Sequence, residues 1–214
     1  MNIMRAVQPI LIACFLSIVS VSAAAPAAAG AAKPAEGKPL PMGSEGTLIV
    51  ADFDSWEEVN NLGGLFSSWT RDPDDPTQGC RVEITDDDRW GEKGLCVRLI
   101  YDVESPGIAF NGMWIQLEET DWSRYRYFIV HVRGDREAGF TPRFKIEMKN
   151  KQKAVGRFVI TGVTDDWQEF VIPLSKFKGL DNLKVMKEIT ISFDDMRCSP
   201  KVGEIYIDDI YLSK

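Results

Sequence analysis

Eleven short segments of this chain alternate apolar and polar residues, and Gly, Pro, Asp or Asn separates them. No stretch between them has the length and 3.6-residue period of a long amphipathic helix. The segments are expected near Thr47 to Phe53, Leu65 to Thr70, Cys80 to Thr85, Leu95 to Asp102, Ile108 to Leu117, Tyr127 to Arg133, Arg143 to Lys149, Gly156 to Thr161, Gln168 to Ile172, Glu188 to Phe193 and Glu204 to Leu212. A turn of 3₁₀ helix is expected between Leu174 and Val185. Strands at this spacing indicate an all-β fold, an antiparallel sandwich or barrel with one face of each sheet on the core.

Alternation also sorts the side chains. Met113, Ile115 and Leu117 form the better core set of their strand, which turns Trp114 and Gln116 outward. By the same reasoning Phe128, Val130 and Val132 are core while Tyr127, Ile129 and His131 face away. Phe144, Ile146 and Met148 are core, leaving Arg143, Lys145 and Glu147 outside, and Ile189, Ile191 and Phe193 complete the set. An outward face carrying a Trp, a Tyr, the single His and several charges is unusual for one that meets only water. Trp56, Trp69, Trp90, Trp122 and Trp167 read instead as core, loop or corner residues.

The last segment, "GEIYIDDIYL", breaks its own alternation with Asp208 and Asp209 side by side. One carboxylate must point inward unless the strand bulges, and an ionised carboxylate is costly to bury without a partner. The pair is therefore either a solvated bulge or half of a cation site.

The N-terminus has another character. Arg5 precedes an apolar run from Ala6 to Val21 and then "VSAAAPAAAG", the pattern of a secretory signal peptide over residues 1–25. Leu11-Ile12-Ala13-Cys14 offers a competing lipoprotein reading, in which a lipid on Cys14 would supply the only membrane contact. Residues 26–45 are Ala, Pro, Gly and Lys with almost no large apolar side chain, as expected of a flexible linker. One domain over 46–214 is long enough for a sizeable core. The protein is expected outside the cytoplasm, secreted or held in the cell envelope.

Charge and motif content narrow the function. The formal charge is −7, and no Lys/Arg cluster is present, which speaks against nucleic acid and anionic membrane as partners. Cys80, Cys96 and Cys198 follow the signal segment with no zinc-type spacing. Phosphate loops, nucleophile elbows and His-Glu-x-x-His motifs are absent from the sequence. Paired carboxylates for glycoside hydrolysis depend on spatial separation, so Glu147 with Glu83 or Glu169 keeps a small glycosidase or lyase as an alternative.

The runs "ADFDSWEEVNNLGGLFSSWTRD", "DDWQEFVIPLSKF", "EITISFDD" and "GEIYIDDIYL" together resemble carbohydrate-binding modules of the galactose-binding-like jelly-roll type. The likeness is to family 11 of those modules and to the related domain of complex I intermediate-associated proteins, and it covers about Thr47 to Leu212. It implies a non-catalytic module that holds a polysaccharide or oligosaccharide on a concave sheet through aromatic rings and polar groups. The matching ligand positions are Trp114, Gln116, Tyr127, His131, Arg143, Lys145 and Glu147. Charge outweighs aromatic rings in this set, which leaves room for an acidic sugar as well as a neutral glucan. The resemblance also implies a structural calcium at the sandwich edge, held by Asp52, Asp54, Asp209 and Asp208. A separate protein partner, in an envelope-assembly or protein-interaction role of the same fold, is the remaining alternative.

Overall fold

The computed structural model describes residues 46–214, so the signal-peptide, lipid-anchor and linker readings lie outside the described residues. The strands are β1 (Thr47–Ala51), β2 (Phe66–Thr70), β3 (Gly79–Thr85), β4 (Cys96–Asp102), β5 (Phe110–Thr120), β6 (Tyr127–Gly134), β7 (Arg143–Asn150), β8 (Val155–Thr161), β9 (Gln168–Pro173), β10 (Met186–Asp194) and β11 (Val202–Ser213). A 3₁₀ turn at Leu174–Lys176 is the helical element among the described residues. All eleven expected strands are present, within a few residues at their ends.

They form two antiparallel sheets. One runs β3-β4-β11-β6-β9 with β1 also on β11, and the other runs β2-β5-β10-β7-β8. The inward sets named from alternation fill the space between them: Met113, Ile115, Leu117, Phe128, Val130, Val132, Phe144, Ile146, Met148, Ile189, Ile191 and Phe193 are all buried. Trp122 joins them as a fully buried side chain, with Nε1 donating to Thr120 Oγ1 at 2.9 Å. Period-2 patterning and a dry inner layer identify a β-sandwich.

β11 explains the paired carboxylates. On one side its first half pairs with β4, ending at Ile207↔Val97, and its second half pairs with β1, beginning at Ile210↔Ala51. Asp208 and Asp209 occupy the gap between those two partners. On the other side the register with β6 shifts between Asp208 and Tyr211, and Asp209 takes φ 42°, as a bulge requires. The surrounding chain closes the gap: Leu95 N donates to Asp54 Oδ1 at 2.8 Å, and Trp90 N donates to Asp208 Oδ2 at 3.1 Å. Asp54, Asp208 and Asp209 are all buried, although a bulge alone would leave them wet.

Candidate functional site

Register assigns the outer face of the five-stranded sheet row by row. The central row runs Ser67, Trp114, Thr190, Glu147, Arg157 across β2, β5, β10, β7 and β8. Beside it lies Trp69, Gly112, Ser192, Lys145, Val159, and on the other flank Gln116, Glu188, Lys149, Val155. Aromatic rings thus gather on β2 and β5, hydroxyls on β10, and charges on β7 and β8. A depression of about 400 Å³ lies among Trp69, Phe110, Trp114, Glu147, Glu188 and Thr190.

The rings are fixed in place. Trp114 Nε1 donates to Ser68 O at 3.2 Å, and Trp69 meets Phe110 edge to face with centroids 5.8 Å apart. Arg71 stacks over Phe110 at 5.4 Å. Such immobilised aromatic faces suit the weakly apolar side of a sugar ring, and the neighbouring Thr190 and Ser192 are polar. Charges are tethered as well. Glu147 accepts from Arg157 Nε at 3.1 Å and lies 3.0 Å from Lys145 Nζ, Lys149 pairs with Glu188, and Thr190 Oγ1 donates to Glu188 Oε1 at 2.9 Å. Burial raises the Glu147 pKa, but Lys145 and Arg157 outweigh it and hold the carboxyl below its ordinary value. Glu147 is therefore ionised at neutral pH.

The seven residues expected on one face divide between two. Trp114, Gln116, Arg143, Lys145 and Glu147 share the outer face of the five-stranded sheet. Tyr127 and His131 do not: both belong to β6, in the middle of the other sheet. Alternation orients a residue inward or outward but says nothing of which sheet it joins, and that is why they were grouped. Tyr127 lines a cleft of about 630 Å³ at one end of the sandwich, with Tyr125, Leu174, Phe177 and Leu180. His131 is 4% exposed, and Trp90 stacks on its ring at 4.5 Å. His131 also lies 3.7 Å from Glu169, which accepts from Tyr211 OH at 2.8 Å.

Trp69 is the residue that strand reasoning missed. It reads as a core, loop or corner tryptophan, yet Phe66 is buried and three strand steps place Trp69 on the side opposite to it. Counting from Phe66 would have found it. Arg157, Lys149, Glu188 and Thr190 were not singled out because strand order, invisible in sequence, brings them beside Trp114.

The carboxylates considered for catalysis are separated by the whole sandwich. Glu147 is on β7, while Glu83 on β3 and Glu169 on β9 belong to the other sheet. Glu83 is paired with Arg98. Burial pushes the Cys80 thiol up to about 12 and the Cys198 thiol up to about 11, far from the range of a nucleophile. Of the four expected calcium ligands, Asp52 engages Asn61, whose Nδ2 donates to it at 2.8 Å, and Asp208 Oδ1 accepts from Asp209 N at 2.8 Å. Among the described residues, no three His, Cys, Asp or Glu side chains stand together in a metal-binding group.

No family model matches the sequence, and no curated protein matches it. Solved structures do. The family 11 carbohydrate-binding module of the cellulosomal cellulase Lic26A-Cel5E of Clostridium thermocellum is 17% identical with a TM-score of 0.58, covering 80% of this chain and 96% of that one. A family 11 module from Clostridium thermocellum in complex with a β-1,3-1,4-mixed-linked tetrasaccharide is 18% identical with a TM-score of 0.59, over 80% and 97%. A family 30 carbohydrate-binding module is 15% identical with a TM-score of 0.50, over 78% and 87%. At these identities the likeness is one of fold, and residues 46–214 have the jelly-roll sandwich of family 11 carbohydrate-binding modules.

Proposed function

We propose that the domain is an exported carbohydrate-binding module that holds a polysaccharide across the outer face of its five-stranded sheet and does not cleave it. The observation that carries this reading is the depression in which Trp69, Trp114 and Phe110 adjoin Thr190 and Glu188. Rings supply apolar contact and the flanking groups supply oriented hydrogen bonds, the combination a sugar needs. Support comes also from the family 11 module that was solved with a tetrasaccharide. A hydrolytic reading has less to stand on. Glu147, held ionised between two cations, is unsuited to donate a proton, and Glu83 and Glu169 are out of its reach.

The test is retention of the domain on immobilised polysaccharides, neutral and acidic. Trp114→Ala is expected to weaken retention roughly thirtyfold, the cost of truncating a buried aromatic anchor of about 2 kcal/mol. A screen without retention on any glycan would remove the reading, and a single protein captured from envelope extract would then favour the assembly role.

The reading includes a calcium ion at the β11 gap. Asp54 and Asp209, both buried there, would supply carboxylate oxygens, and backbone carbonyls would have to complete the six to eight that calcium takes. Its contribution is to stability alone. Chelation is expected to lower the Tm by several degrees, since an ion that binds only the folded state stabilises it. An unchanged melt after exhaustive chelation would eliminate the ion.

A further inference from the structure

We infer that the glycan taken by this face is anionic, its carboxylates meeting Lys145 and Arg157 while a neighbouring ring of the same chain packs on Trp114. This rests on the reading that the face binds a polysaccharide, and it names the class of that polysaccharide.

Charge on this face has a sign opposite to that of the protein. Along the three rows through Gly112, Trp114 and Gln116, the cations Lys145, Lys149 and Arg157 stand against the carboxylates Glu147 and Glu188, an excess of one positive charge. One row further Asp194 lies beside Phe110 and pairs with Arg197 Nη1 at 2.6 Å, while Arg143 directs its Nε to Arg197 O at 2.8 Å, so that Arg143 and Arg197 stand there against one carboxylate. The whole chain carries −7. On the outer side of the six-stranded sheet the balance is reversed, with Arg81, Arg98 and Arg133 against Glu83, Asp102, Glu169, Glu204 and Asp208. A positive region on an acidic protein is a local feature of this sheet, and a positive surface draws anions.

Geometry makes the two halves of the face work together. Trp114 on β5 and Glu147 on β7 are separated by one strand, β10, so the aromatic and the charged halves are roughly 10 Å apart. That is about the span of two sugar rings laid across the strands. Glu147 has a defined part: it holds Lys145 and Arg157 together at 3.0 and 3.1 Å, and one carboxylate cannot neutralise two cations. Arg157 retains guanidinium N–H groups for a ligand, because the contact with Glu147 uses Nε. A neutral glucan would have to desolvate these charges without replacing their partners, which opposes binding.

The experiment is calorimetric titration of the domain with β-1,4-linked oligomannuronate and with the same oligomer after methyl esterification of its carboxyls. The acid form is expected to bind at least about tenfold more tightly, and the preference is expected to shrink as salt rises, because screening acts on exposed charges. Lys145→Gln and Arg157→Gln should each weaken the acid form severalfold and so narrow its preference over the ester form. Equal, salt-independent binding of acid, ester and mixed-linkage β-glucan would overturn the anionic class while keeping the polysaccharide reading. Preference for the acid form that survives both substitutions would overturn the assignment to these residues. Binding of neither oligomer nor any neutral glucan would overturn both readings together. The salt and ester comparisons use the unaltered protein, so they decide the matter even where a variant folds poorly.

Discussion

Gly112→Ala is expected to destabilise the domain by about 4 kcal/mol, combining overpacking with an unfavourable backbone conformation. Gly112 lies in β5 between Trp69 and Ser192 with φ 153°, and a Cβ there would sit 1.9 Å from Ile191 O on β10. That obstacle is backbone in the middle of a five-stranded sheet, so it has no rotamer by which to move away. Accommodation requires prising β5 from β10, which would break the hydrogen bonds that hold the aromatic and hydroxyl columns side by side. Since whole domains are stable by only about 5–15 kcal/mol, such a loss is a large part of the total. The midpoint of urea unfolding should fall steeply, with the slope unchanged if the native state is retained. Gly79→Ala is the control: its Cβ would meet nothing within 4 Å, and its effect should stay within about 0.5 kcal/mol. Equal midpoints for the two variants would show that β5 and β10 tolerate separation.

The contrast between these glycines bears on how much of the molecule its sequence reveals. Strand identity and the inward sets were legible because burial of one face writes a period of two into each segment, as in Phe144, Ile146 and Met148. Sheet membership was not legible. Tyr127 and His131 have the same outward alternation as Trp114, but β6 pairs with β9 and β11 while β5 pairs with β2 and β10. Pairing is a long-range property, decided by which strands bury area together, and no local pattern encodes it. The same limit hid Arg157 from Trp114, which reaches it only through β10 and β7. Trp69 is different, because the buried Phe66 three positions earlier fixes its direction locally. Coverage was also invisible. His131 and Asp208 point away from the inter-sheet core yet are buried, and Trp90, in a turn-rich stretch with no periodicity of its own, meets both.

Asp208→Ala is therefore expected to act on stability and leave the glycan face alone. The side chain is fully buried, and its two oxygens accept from Trp90 N and Asp209 N. Removing it strands the buried Asp209 N–H and the partly buried Trp90 N–H, at a cost of about 3 kcal/mol. Asp208→Asn keeps one acceptor oxygen, so its cost should fall between wild type and Ala. The loss has a local signature too. Trp90 is anchored through Asp208 and stacks on His131, so release of residues 86–95 should shift its fluorescence to the red before global unfolding begins. Retention on polysaccharide should be unchanged below the new unfolding midpoint, because Trp114, Lys145 and Arg157 lie on the opposite sheet. If Asp208→Ala lost glycan binding with its fluorescence and midpoint intact, the ligand would have to sit beneath Trp90. In that case the six-stranded sheet, with His131 and Glu169, would become the binding face. The separation of readouts follows from β11 itself: its carboxylates fill a gap between two partner strands, and a strand that must change partners needs a local tie at the place where neither partner can supply one.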